Sequence, residues 1–176
     1  MFFSSSSSKN CRCKGEMIDD LDQMVTSAVT ELFGTMLHMK MRPVPVPVGF
    51  GNNDAHIAGV VGFVGKLSGV VYVYTTQSFA RRITATLLGI ESSEVEEGEM
   101  VNDAMGEMAN MLVGKMKSRL TDRGIPCVLT IPSVVRGSHF SVEVITSTEG
   151  HVFCFEAEGN RIFIHFLLKP MAQSHS

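Results

Sequence analysis

The chain predicts an α+β fold, one mostly antiparallel sheet packed against two long helices in the order α-ββ-α-α-β-βββ. Three observations predict it. Apolar residues recur at helical spacing in two long stretches, one around Leu21–Leu37 and one around Val101–Met116. Short runs near the C-terminus alternate between apolar and other residues, as Val142, Val144, Phe153, Phe155, Ile162, Ile164 and Phe166 do, which suits a half-buried sheet. Prolines fall outside these segments, with Pro43, Pro45 and Pro47 following the first and Pro126 and Pro132 following the second.

With 176 residues and 44% hydrophobic content the chain is long and apolar enough to bury a core. One domain over residues 17–170 is expected, between a disordered Ser-rich leader (1–16) and a short tail (171–176). The first ordered element is a helix from about Asp19 to Met39, where Asp19 and Asp20 offer N-caps to a stripe running from Leu21 through Met24, Val25, Ala28, Val29, Leu32, Phe33 and Met36 to Leu37. Pro43, Pro45 and Pro47 end it and make the next residues an extended or edge segment. His56–Val64 and Gly69–Tyr74 read as a hairpin about Gly65-Lys-Leu-Ser68.

Thr76 to Leu88 reads as a short helix that Gly89 closes. Ser93 and Glu96 match a capping box for a long helix that runs to about Asp122 and stops at Gly124. Further strands are expected at Cys127–Ile131, Phe140–Thr146, Val152–Ala157 and Arg161–Leu168, with turns at Ser147-Thr-Glu-Gly150 and Glu158-Gly-Asn160.

Composition excludes several classes of function. A net charge of -3 gives no broad basic field for nucleic acid. No stretch approaches the roughly 20 apolar residues of a membrane span. Cys11, Cys13, Cys127 and Cys154 form no zinc spacing, so a reduced cytoplasmic protein is the expectation. The six histidines are scattered outside any nucleophile-elbow context. Gly59, Gly62, Gly65 and Gly69 belong to a hairpin rather than a phosphate cradle, because no helix begins after them. The acidic run Glu91–Glu99 suits a solvated helix start.

The informative stretch is Asp103-Ala-Met-Gly-Glu107-Met-Ala-Asn110-Met-Leu-Val-Gly114. At about 100° per residue, Val101, Met105, Met108, Leu112 and Met116 share one side of the helix. Asp103, Glu107, Asn110 and Gly114 share the other, with Glu107 and Asn110 neighbours on the surface and Gly114 leaving room for a large body to approach. A Glu and an Asn three apart also occur on the polar side of many helices, so the pattern alone leaves a plain solvent face open.

The context of that pattern resembles the CheC/CheX/FliY family of response-regulator aspartyl-phosphate phosphatases. The family signature places an Asp or Ser, then a Glu, an Asn and a later proline; here these are Asp103, Glu107, Asn110 and, slightly closer than usual, Pro132 in Ile-Pro-Ser-Val-Val-Arg-Gly137. Gly62-Phe-Val-Gly65-Lys-Leu-Ser-Gly69-Val-Val, Ala80 and Leu88-Gly89 are similar as well, and the resemblance spans roughly Leu21–Leu168. Some members carry a second Glu/Asn pair on the first helix; Glu31-Leu-Phe-Gly34 has glycine there, which implies a single active face and the CheX branch.

The resemblance implies a phosphatase acting on the aspartyl phosphate of a CheY-like receiver domain, in chemotaxis or another two-component pathway. Glu107 and Asn110 would be catalytic, with Asn110 positioning the attacking water and Glu107 anchoring the receiver's lysine; Asp103 and Gly114 would serve docking. No cofactor is implied for this chain, since the receiver brings the magnesium, and a homodimer paired through β-sheets is implied. A non-catalytic receiver-docking module and a purely structural dimer are the alternative readings.

Overall fold

A computed structural model describes residues 7–47, 57–137 and 149–169, with side chains from residue 20 onward. Helix α1 spans Ser7–Met36, β1 Arg42–Val44, β2 Ile57–Gly65, β3 Ser68–Thr75, α2 Gln77–Leu88 and α3 Glu99–Asp122. Strands β4 (Cys127–Leu129), β5 (Ser133–Arg136), β6 (Glu149–Ala157) and β7 (Asn160–Lys169) complete the described chain. All strand pairs are antiparallel, in the order β1-β6-β7-β3-β2-β4, and β5 pairs with the first half of β2 beside β4. None of the described helices is long and apolar enough to cross a membrane.

Local chemistry explains most boundaries. Thr76, expected as the first residue of α2, instead caps it by accepting a hydrogen bond from the Phe79 amide at 3.3 Å, and Gly89 (φ 67°) closes the helix in the left-handed region as the sequence predicts. The β6–β7 hairpin turns on Glu158 (φ 51°) and Gly159 (φ 75°), a two-residue loop whose positive φ values match the twist of the strands. Pro43 lies in the edge strand β1, the place a residue without an amide hydrogen can occupy.

Four expectations need correction. The first helix, assigned from about Asp19, begins at Ser7, because adding turns to an already nucleated helix needs no new nucleus. Met36, assigned to the stripe of α1, is 47% exposed, since the helix ends there and its last turn leaves the core. The turn assigned to residues 147–150 gives way at its end to β6, whose ladder with β7 takes in Glu149 and Gly150. The strand assigned to Cys127–Ile131 stops at Leu129, and β5 forms after Pro132. The strand assigned to Phe140–Thr146 lies outside the described residues.

The core lies between the helices and one sheet face. Val25, Val29 and Phe33 of α1 and Met105, Met108 and Leu112 of α3 meet Val61, Val73, Ile162 and Ile164 in one buried cluster. The other face carries a smaller cluster of Ala58, Tyr74, Cys154 and Phe163. There Tyr74 Oη lies 3.4 Å from His165 Nδ1, and burial holds the His165 imidazole below its ordinary value. Cys127 and Cys154 are free, buried thiols acting as small hydrophobes.

Helix α3 sits unusually close to β2. A Cβ built on Gly59 would lie 2.6 Å from Ala109 Cβ and 2.8 Å from the Met105 carbonyl oxygen. Backbone cannot swing aside as a side chain can, so only hydrogen fits and Gly59 sets the height of α3 above the sheet. Gly59→Ala is expected to destabilise the fold by about 1–3 kcal/mol through overpacking. Thermal unfolding measures this, and a midpoint equal to that of the unaltered chain would show that α3 does not rest on Gly59.

Candidate functional site

The start of α3 differs from the expected capping box. The reciprocal side-chain bonds form earlier, between Glu91 and Glu94 of a single 3-10 turn, Ser92–Glu94, with the Glu91 amide donating to Glu94 Oε2 at 2.9 Å. Val95 then turns into the core, 3% exposed, and Gly98 takes φ 99° and ψ −112° before the helix begins at Glu99. Ser93 and Glu96 therefore lie on a bend that a buried valine dictates. At the far end, the Gly124 amide donates to Thr121 O and the Ile125 amide to Leu120 O, each at 2.9 Å, closing the helix about a glycine at φ 76°.

Between these ends, the two sides of α3 separate as the periodicity predicts. Val101, Met105, Met108, Leu112 and Met116 are each no more than 2% exposed. Asp103 and Glu107 are exposed, and Asn110 and Gly114 are half-buried on the same side. Among the described residues, neither the Glu107 carboxylate nor the Asn110 carboxamide is engaged in a hydrogen bond or ion pair. A Cβ built on Gly114 would meet nothing within 4 Å, so the ridge beyond Asn110 is open space.

Pro132 comes to the same ridge from the sheet edge. A Cβ on Gly106 would lie 3.6 Å from Val134 Cγ2 and 3.9 Å from Pro132 Cβ, so both pack over α3 directly beside Glu107. Arg136, at the end of β5, ties that strand to the start of α3. Its Nε donates to Asn102 Oδ1, and its Nη2 donates to the Gly98 carbonyl at 3.1 Å. Sequence reasoning missed this tie, because a lone arginine beyond a four-residue strand carries no periodic signal.

The ridge is bounded on its other flank by α1. Lys115 donates to Glu31 Oε1 at 2.6 Å and Arg119 to Glu31 Oε2 at 3.3 Å. The hydrogen bond from Lys115, its charge and then Arg119 hold the Glu31 carboxyl below its ordinary value. Glu31 thus links two helices, and Gly34 beside it offers no polar side chain. The second pattern on α1 provides a structural contact in place of a second acid–amide face.

Among the described residues no group of three or more His, Cys, Asp or Glu could hold a metal ion. What the site offers is one carboxylate and one amide, held a helical turn apart on a stiff element. Such a surface can accept a cation and orient a small polar molecule.

Comparison with known proteins places the fold and the family. Residues 57–156 match the family model of the chemotaxis phosphatase CheX, a span that includes the hairpin, α2, the whole of α3 and Pro132. A CheY-P phosphatase CheX from Thermotoga maritima is 27% identical over 85 residues, which are 48% of this chain and 54% of that protein, so the match spans about half of that relative. The crystal structure of a chemotaxis protein CheX from Desulfovibrio desulfuricans superposes with a TM-score of 0.73 at 21% identity, over 85% of this chain and 99% of that one. A CheX–CheY–BeF3–Mg complex from Borrelia burgdorferi superposes with a TM-score of 0.68 at 18% identity, covering 84% of this chain and 97% of the other.

Proposed function

The chain belongs to the CheX family of chemotaxis phosphatases, and from that premise we propose that it hydrolyses the aspartyl phosphate of a CheY-like receiver domain. One observation carries the reading: Glu107 and Asn110 stand one turn apart on the solvent side of α3, with neither side chain engaged by any described residue.

The chemistry needs little more. An acyl phosphate is activated toward hydrolysis, and its transfer is accelerated mainly by positioning and by charge stabilisation. The receiver would supply the phosphoryl group, its metal ion and a lysine. Asn110 would enter beside them: its carbonyl oxygen accepts a hydrogen bond from a water while its NH2 donates to the phosphoryl oxygens, holding the water in line without taking up a proton. Glu107 would pair with the receiver's lysine and fix the register of the helix. Asp103, one turn earlier, would extend the acidic edge, and the open ridge at Gly114 would let the partner's backbone approach.

The assay is phosphate release from phosphorylated receivers mixed with substoichiometric amounts of this protein. A shortened phosphoryl lifetime is expected; binding without any shortening would replace the enzyme with a docking module.

We further propose a homodimer formed through the sheet face that the helices leave uncovered. Val64 and Val128 are paired across β2 and β4 and are 61% and 70% exposed; Val135 on β5 is 45% exposed. Exposed valines towards both ends of β2 on one sheet face are unfavourable in water and suit a self-complementary contact. Light scattering at micromolar concentration is expected to give twice the chain mass, and Val64→Asp with Val128→Asp to halve it. A monomeric mass for the unaltered chain would reject the dimer.

A further inference from the structure

We infer that Ile131 is a hydrophobic contact residue of the receiver-docking surface, seated on an apolar patch beside the partner's basic group. The inference rests on the function proposed above and adds to it a residue outside the acid–amide pattern. Ile131 is 87% exposed, the highest exposure of any large apolar side chain among the described residues. A single exposed isoleucine is ordinary on a protein surface. Its placement and its stiffness set this one apart.

Placement comes from the path of the chain. Residues 127–134 run along α3 in the opposite direction: Cys127 and Leu129 line a cavity with Val113 and Lys117, while Pro132 and Val134 lie against Gly106. Ile131 therefore falls level with the stretch of α3 between Gly106 and Val113, the stretch that contains Glu107 and Asn110. A body resting on that acid and amide reaches the Ile131 link next.

Stiffness comes from the anchors on each side. The Thr130 amide donates to the Gly62 carbonyl and the Gly62 amide donates to Thr130 Oγ1, both at 2.9 Å. On the other side Pro132 has a fixed φ and packs on α3 over Gly106. Isoleucine is itself restricted at χ1 by its branched Cβ. Little conformational freedom is left for Ile131 to lose when a partner covers it, and an apolar side chain already ordered before binding makes an effective contact. The partner this surface fits has a basic group flanked by an apolar patch, because Glu107 lies on the stretch of α3 with which Ile131 is level.

The experiment compares the unaltered protein with Ile131→Asp and Ile131→Leu, titrated against CheY-like receivers activated with beryllofluoride and assayed for turnover with phosphorylated receivers. Ile131→Asp is expected to raise both Kd and KM about tenfold or more while kcat and the thermal midpoint stay near those of the unaltered protein. Ile131→Leu is expected to bind within about twofold of it, since most of the apolar area returns. Equal Kd for Ile131→Asp and the unaltered protein would overturn the inference while leaving the phosphatase reading intact. Binding that Ile131→Asp weakens, without turnover by the unaltered protein, would sustain the inference and reject the phosphatase reading. Failure of the unaltered protein to bind any activated receiver would overturn both.

Discussion

Asn110→Ala is expected to slow dephosphorylation of the receiver by about 100-fold or more, with folding and receiver affinity nearly unchanged. The magnitude comes from the role: removing one positioned polar group from a transition state typically costs a factor of about 10²–10³. The fold should tolerate the change for a physical reason. The Asn110 side chain is half-buried, no described residue hydrogen-bonds to it, and alanine is a better helix former than asparagine. Thermal unfolding and kcat should therefore move independently, with the midpoint level or slightly raised while kcat collapses. An unchanged phosphoryl lifetime with Asn110→Ala in place of the unaltered protein would remove Asn110 from the chemistry. Asn110→Asp sharpens the test: it retains shape but replaces the NH2 donors with acceptors facing an anionic phosphoryl group, and it should be no better than alanine.

The parts of the fold legible in the sequence are those whose signals are local. The stripe of α3 could be read because helical periodicity and burial are the same fact seen twice, and all five assigned residues are buried. Gly89 could be read because a cap bonds only within its own turn. Where tertiary packing competes with a local signal, it prevails. Ser93 and Glu96 have the spacing of a capping box, yet burial of Val95 redirects the chain and the helix starts at Glu99. The site divides along the same line. Asp103, Glu107, Asn110 and Gly114 share a helix face by spacing alone, so their grouping was accessible. The packing of Pro132 over Gly106, the tie from Arg136 to the start of α3 and the capture of Glu31 by Lys115 all join distant segments, and no periodic pattern encodes them. Gly59 shows how a residue can be read correctly yet incompletely: it lies in the expected hairpin strand, but its consequence is the close seating of the helix that carries the site.

Glu107→Lys is expected to impair docking where Asn110→Ala impairs the chemical step. A carboxylate paired with a lysine in a water-poor interface is a charge-assisted bond contributing about 1.5–3 kcal/mol, and breaking a close charge pair across an interface typically costs about 2–5 kcal/mol. The reversal also sets two cations against each other, so Kd for an activated receiver should rise by at least 30-fold at low salt, or about 2 kcal/mol. Glu107→Gln separates charge from shape: it can still accept a hydrogen bond from the lysine and should lose less. Ionic strength supplies an independent readout. The affinity of the unaltered protein should weaken as salt is raised, whereas that of Glu107→Gln should depend on salt less steeply, because one charge pair has been removed from the screened set. Stability should be unaffected, since Glu107 is exposed and lysine forms helix as readily as glutamate. Equal affinity of Glu107→Lys and the unaltered protein for an activated receiver would mean that the carboxylate has no anchoring part, and the recognition would then have to be carried by the neighbouring Asp103 and the apolar edge of the ridge. A rise in KM at preserved kcat for Glu107→Gln, beside a fall in kcat at preserved KM for Asn110→Ala, would assign binding and chemistry to two residues a single turn apart.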